Sequence, residues 1–90
     1  MSRQLSNKDR RKNYIILAEN SYLDGDRERA VRFYNRALRF EGDKDETIQI
    51  LYNIAIIYDE LDLPEKALRA YRKITELDER QAGAFYGMAT

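Results

Sequence analysis

The chain has 90 residues, a formal net charge of zero and neither cysteine nor histidine, so it is long enough for one small domain. The lack of cysteine excludes disulfides, thiol nucleophiles and cysteine-bound zinc, and the lack of histidine removes the commonest general base and metal ligand. No stretch approaches the roughly 20 apolar residues of a membrane helix, and the apolar run 15–18 is too short for a signal peptide. We therefore expect a soluble, cytoplasmic protein without cofactor or metal that acts through its surface.

Apolar residues recur at intervals of three and four along the chain, which is the spacing of amphipathic helices. With the turn residues, this spacing predicts about five helices, over 8–23, 27–40, 46–60, 64–76 and 80–89. Gly25 ends the first helix and Asp26 caps the second, Asp45 or Thr47 opens the third, and Pro64 lies in the first turn of the fourth. Because the loops are short, consecutive helices are expected to pack antiparallel.

The pattern of the first two helices recurs 37 residues later along the chain. At this offset small and aromatic residues coincide: Ala18 with Ala55, Ala30 with Ala67, and Tyr34 with Tyr71. A shift of 34 residues places Phe85 under Leu51 and Met88 under Ile54. The sequence therefore predicts two helical hairpins and the first helix of a third.

These columns resemble the tetratricopeptide repeat, a helical hairpin of 34 residues. The matching segments are Tyr14-x2-Leu17-Ala18-x2-Ser21 with Ala30-x3-Tyr34-x2-Ala37, Leu51-x2-Ile54-Ala55-x2-Tyr58 with Ala67-x3-Tyr71-x2-Ile74, and Phe85-x2-Met88-Ala89. The resemblance implies an all-α fold in which antiparallel hairpins stack as a short right-handed superhelix. It divides the chain into an extension 1–10, repeats 11–44 and 48–81, and the start of a third repeat, 82–90. Gly42 and Glu79 stand where the family has a closing proline.

The same resemblance implies a non-catalytic scaffold that binds a protein or peptide on the concave face lined by the first helix of each repeat. The residues that the alignment places on this face are Lys12, Ile15, Ile16, Glu19, Tyr22, Gln49, Tyr52, Asn53, Ile56 and Tyr86. Ile15 and Ile56 are alternatively ordinary core residues that meet across the groove. Some relatives clamp a carboxylate terminus on these helices, but only Asn53 matches that clamp, so none is predicted here.

Enzymatic activity is not expected. The aspartate pairs Asp24/Asp26 and Asp59/Asp62 occupy loop positions that favour aspartate for turns and caps. The sequence contains no phosphate-binding glycine loop and no nucleophile motif.

A basic stripe on the second helix offers an alternative binding surface. Its members, Arg29, Arg32, Arg36 and Arg39, fall within an arc of about 80° at helical spacing. Residues 1–40 carry ten basic and five acidic side chains, whereas residues 41–90 carry six and eleven. Such a cluster is typical of nucleic-acid or phosphate binding. No exposed aromatic residue is expected within the stripe, which favours a solvated outer face that pairs with acids such as Glu28.

A second alternative is self-association through the carboxyl-terminal helix. Phe85 and Met88 would leave apolar surface uncovered there, because repeat arrays need polar ends. This uncovered end indicates either a homo-oligomer or a longer repeat protein of which these residues are the first part.

Overall fold

The computed structural model describes residues 6–78, and over this range the chain is all-α with four helices. The helices are α1 (Asn7–Leu23), α2 (Arg27–Ala37), α3 (Lys44–Glu60) and α4 (Pro64–Leu77). Their bounds lie within three residues of the first four predicted helices. The fifth predicted helix, with Phe85, Tyr86 and Met88, lies outside the described residues.

Side-chain caps and a glycine set the boundaries of α1 and α2. The Ser6 hydroxyl accepts a hydrogen bond from the Asp9 N–H at 3.1 Å at the start of α1. The Asp26 carboxylate accepts one from the Arg29 N–H at 3.1 Å, so the predicted cap of α2 is confirmed. Between the helices, Gly25 adopts a φ of +84°, in the left-handed region that ends many helices.

The boundaries of α3 and α4 follow similar rules with one correction. Pro64 stands at the start of α4 as predicted, where its missing N–H has no partner to lose. Helix α3 begins at Lys44, so the prediction that Asp45 or Thr47 opens it is wrong. Asp45 instead lies inside the first turn, together with Glu46, where the positive end of the helix dipole favours acidic side chains.

The helices pair in sequence order. The chain divides into two compact units between Asp43 and Lys44. In the first unit α1 packs on α2, and in the second α3 packs on α4. Within residues 6–78, the described part of each unit is therefore one helical hairpin with a short connecting turn.

Alanines are among the most deeply buried residues of both hairpins. Ala18, Ala30 and Ala37 are fully buried in the first hairpin, and Ala55 is fully buried in the second. Alanine at such positions lets two helix axes approach to about 8–10 Å. Conversely, Leu17 is 42% exposed although it lies in an apolar column of the repeat.

Helix α2 ends three residues before its predicted boundary. Beyond Ala37 the chain tightens, because the N–H of Arg39 bonds to the carbonyl of Arg36 and that of Phe40 to Ala37, both at 3.1 Å. These bonds span three residues rather than four, which is the tighter spacing of a 3₁₀ turn. Arg39 consequently lies outside α2, so the prediction that it belongs to a stripe on this helix is wrong.

A buried arginine holds this turn from the other helix of the hairpin. Arg11, at the start of α1, is 2% exposed, and its Nη1 donates to the carbonyl oxygen of Phe40. The Phe40 ring stacks on Tyr14 with 5.9 Å between centroids. Gly42 lies so close to Arg11 that a Cβ there would come within 2.7 Å of the arginine Cδ and Cζ. These contacts hold the turn that follows α2 against the start of α1.

Candidate binding surfaces

The predicted first-helix residues fall into two groups, one on each hairpin. The α1 group, called the α1 face, is Lys12, Ile15, Ile16, Glu19 and Tyr22. The α3 group, called the α3 face, is Gln49, Tyr52, Asn53 and Ile56. Tyr86 lies outside the described residues.

The α1 face exposes apolar side chains that its own hairpin does not cover. Ile16 is 44% exposed, and Leu23, which adjoins the α1 face seven residues later on the same side of the helix, is 81% exposed. Lys12 and Glu19 are exposed beside them, whereas Ile15 is half-buried. The face therefore carries one cation and one anion, which helical spacing places between the half-buried Ile15 and the exposed Ile16.

Tyr22 differs from the rest of the α1 face because its ring contacts a side chain of α2. The guanidinium of Arg27, in the first turn of α2, lies 5.5 Å from the centroid of the Tyr22 ring. A cation over an aromatic ring at this distance is attracted by the ring's negative face. The half-buried Tyr22 thus helps to join the two helices of the first hairpin.

The α3 face combines amides with an exposed apolar side chain. The Nε2 of Gln49 donates to the Oδ1 of Asn53 at 3.4 Å, one helical turn away. This distance is longer than the usual range for such bonds, so the bond is weak. Ile56 is 46% exposed, in the next turn along the helix. The face therefore offers amide donors and acceptors next to an apolar side chain.

A pair of tyrosines borders the α3 face. The rings of Tyr52 on α3 and Tyr71 on α4 meet edge to face with 5.9 Å between centroids. Burial raises the pKa of Tyr71 above its usual range, and the negative charge of Asp59 and the neighbouring Tyr52 raise that pKa further. Tyr71 therefore keeps its proton at neutral pH. Tyr71 is not among the predicted site residues, because its repeat column indicates only an aromatic residue in the second helix.

The basic stripe on α2 has a different composition from the one predicted. Arg29, Arg32, Arg36 and Phe33 line a surface depression of about 220 Å³, called here the arginine depression. The Arg29 guanidinium lies 5.9 Å from the centroid of the half-buried Phe33 ring. Phe33 is half-buried and not fully exposed, so it does not contradict the expectation of no exposed aromatic residue in the stripe, but its ring still lines the depression. The sequence contained the signal, because position 33 lies four residues after Arg29 and three before Arg36.

The predicted pairing of this stripe with nearby acids is absent from the depression itself. Its lining consists of three arginines and one phenylalanine, and neither Glu28 nor any other described carboxylate contributes to it. The guanidinium groups therefore line this depression without an acidic side chain among them.

Three of the four aspartates considered for catalysis lie in turns or caps, with Asp24 at the end of α1, whereas Asp59 lies in the last turn of α3, so the prediction that it occupies a loop position is wrong. Asp26 caps α2, and Asp62 adopts a φ of +63° in the turn before α4, where its N–H donates to the Asp59 carbonyl at 3.1 Å. Within residues 6–78, no group of three acidic side chains is arranged to hold a metal ion. Over the same range, no helix is long and apolar enough to cross a bilayer.

Comparison with known proteins agrees with the hairpin pattern. A family model described as tetratricopeptide repeat matches residues 14–80. The photosystem I assembly protein Ycf3 of Rippkaea orientalis (strain PCC 8801 / RF-1) is 36% identical over 70 residues, which are 78% of this chain and 40% of that protein. The chain thus spans less than half the length of this relative. No solved structure matches the chain significantly.

Proposed function

Because the chain belongs to the tetratricopeptide repeat family, we propose that it is a non-catalytic scaffold that holds a protein or peptide partner on the α1 and α3 faces. The observation that carries this proposal is the exposure of branched apolar side chains, Ile16 and Ile56, on the first helix of each hairpin. Exposed apolar surface bordered by polar residues is typical of interaction sites. The two repeats of this proposal are residues 11–44 and 48–81.

The α1 face supports the apolar part of such binding. Fully burying an isoleucine or leucine side chain contributes about 1.5–3 kcal/mol relative to leaving it exposed. Ile16 is about half exposed and Leu23 is mostly exposed. A large share of that free energy is therefore available when a partner covers them. The exposed Lys12 and Glu19 beside Ile16 add charge selectivity rather than much affinity.

The α3 face supports the polar part of partner binding. An amide side chain both donates and accepts hydrogen bonds, as a peptide backbone does. Since the bond between Gln49 and Asn53 is long, a partner's backbone can replace it at little cost. Tyr52 is held by its contact with Tyr71, so less rotational freedom is lost when a partner packs against it.

The name of the relative supports a proposal about the nature of the partner. The Rippkaea orientalis protein is named for photosystem I assembly, and the 70 aligned residues cover most of this chain. We extend this role to the chain in its general form, in which the bound partner is a component of a multiprotein assembly.

The proposal is tested with peptides selected from a random library on the full 90-residue chain. Dissociation constants of the selected peptides are measured by fluorescence anisotropy for the wild type and for Ile16→Ala, Tyr52→Ala, Asn53→Ala and Ile56→Ala. Binding residues at the centre of an interface cost more than about 1 kcal/mol when truncated, which is roughly fivefold in affinity. We expect at least one substitution on each face to reach this loss.

Leu68→Ala is the matched control, because Leu68 is 37% exposed but lies on α4, outside both faces. Its affinity for the peptides is expected to stay within about twofold of the wild type, since surface substitutions away from a site change little. Peptides that bind all four face variants as tightly as the wild type, or that are weakened most by Leu68→Ala, contradict the proposal.

A further inference from the structure

The arginine depression on α2 is a surface that the proposed function does not use. We propose that it is a second binding site, which takes a short acidic segment of a polypeptide through the side-chain carboxylates of that segment. Arg29, Arg32 and Arg36 line it together with Phe33, and they are exposed.

The spacing of the three arginines suits a few carboxylates rather than one. Arg29 and Arg36 are seven residues apart, which corresponds to about 10 Å along the helix axis. Arg32 and Arg36 are one turn apart, with roughly 5–6 Å between their Cβ atoms. A planar guanidinium matches the two oxygens of a carboxylate in a pair of parallel hydrogen bonds. Two or three neighbouring acidic side chains therefore fit the length of the depression.

Phe33 restricts the Arg29 side chain and forms an apolar wall of the site. The attraction between the Arg29 guanidinium and the ring at 5.9 Å restricts that arginine before any ligand arrives. A side chain that is already restricted loses less conformational freedom on binding. The methylene groups of a glutamate can also pack on the exposed part of the ring, which adds a contact that a bare anion lacks.

The same ring argues against nucleic acid as the ligand. Surfaces that bind single strands use aromatic rings on which bases stack. Phe33 already stacks on Tyr14, with 6.2 Å between centroids, and carries the Arg29 guanidinium as well. A short acidic peptide is the ligand that remains.

The second hairpin provides an internal comparison. At the repeat offset of 37 residues, Arg29, Arg32, Phe33 and Arg36 correspond to Lys66, Arg69, Ala70 and Lys73. The positive charges are repeated, but the aromatic residue is replaced by a buried alanine. The depression beside Lys66 and Arg69 also contains Asp62 and Glu65. Both hairpins therefore carry positive charges at these positions. Only α2 combines three arginines with an aromatic ring, in the arginine depression.

The test uses the full chain and three fluorescent probes of equal length: oligoglutamate, oligoglutamine and oligouridylate. Anisotropy titrations at low salt compare the wild type with Arg32→Gln/Arg36→Gln and with the matched control Arg69→Gln/Lys73→Gln. Each double variant removes two positive charges from corresponding helix positions. Two lost exposed ion pairs predict an affinity for oligoglutamate about five- to thirtyfold weaker in the first variant. The control is expected to stay within about twofold.

The outcomes separate this site from the α1 and α3 faces. Oligoglutamate binding that is lost only in the α2 variant supports the site, and peptides selected for the two faces are expected to bind that variant normally. Equal losses in both double variants overturn the proposal, because the effect is then one of net charge. Stronger binding of oligouridylate through the same arginines overturns it in favour of nucleic acid. Failure of the wild type to bind oligoglutamate at low salt overturns it as well.

Discussion

Replacement of Gly42 by alanine tests whether the close approach of Arg11 holds the end of the first hairpin. A Cβ at position 42 would come within 2.7 Å of the Cδ and Cζ of Arg11, closer than such atoms are ever found. Gly42 does not have a φ in the left-handed region, so alanine meets no backbone obstacle there. Any loss of stability must therefore come from displacing the arginine.

The magnitude follows from what the displaced arginine loses. Arg11 is 2% exposed and donates from Nη1 to the Phe40 carbonyl. A hydrogen bond to a charged group contributes about 1.5–3 kcal/mol. Replacing glycine by alanine also raises the free energy of unfolding by about 0.4–1 kcal/mol, because it restricts the unfolded chain. We therefore expect Gly42→Ala to lower the free energy of unfolding by about 1–2 kcal/mol.

The assay is urea denaturation followed by circular dichroism, carried out as a double-mutant cycle. Arg11→Ala removes every arginine atom that the new methyl group would meet. In that background, Gly42→Ala is expected to be neutral or to stabilise by up to about 1 kcal/mol. The coupling between the two positions should thus be about 1.5–3 kcal/mol. If Gly42→Ala costs the same in both backgrounds, the contact with Arg11 is not the cause and the reasoning is refuted.

Three further predictions concern turns and a titration. Gly25→Ala should cost about 1–2 kcal/mol, because Gly25 has a φ of +84° with no atom near the added Cβ, and Arg11→Ala should not rescue it in urea melts. Asp26→Ala should cost about 1 kcal/mol through the lost α2 cap, whereas Asp26→Asn should retain most of the stability measured in the same melts. The raised pKa of Tyr71 means that the unfolded chain loses this proton first as the pH rises above about 10, so stability should fall there. Tyr71→Phe should reduce that fall in thermal melts at alkaline pH, and an unchanged slope would contradict the shift.

Local sequence signals predicted most of the helix boundaries. Asp26 caps α2 and Pro64 starts α4 because each effect acts within a single turn. The end of α2 was not predicted. The turn beyond it is held by a bond between Arg11 and Phe40, which are 29 residues apart, and no local pattern near position 40 indicates that bond. Contacts between distant residues override local preference in this way whenever they are strong enough.

The binding surfaces were predicted unevenly for the same reason. The repeat alignment assigned the residues of the α1 and α3 faces to the first helix of each hairpin, and the structure has them on α1 and α3. It assigned Tyr71 to an aromatic column but did not predict that the ring of Tyr71, on α4, meets the ring of Tyr52 on α3. Helical spacing placed Arg29, Arg32 and Arg36 on one side of α2, but it did not predict that the half-buried ring of Phe33 lines the same depression.

By itself, the sequence determined the all-α class, the helix order and the family, because these depend on periodicity, caps and repeat spacing within short stretches of chain. Only the tertiary structure decided which apolar side chains stay exposed, where α2 stops, and which ring accompanies the three arginines. Those outcomes depend on contacts such as that of Arg11 with Phe40, which form when α1 packs on α2. Burial is a property of neighbours in space, so it emerges only after the helices have met.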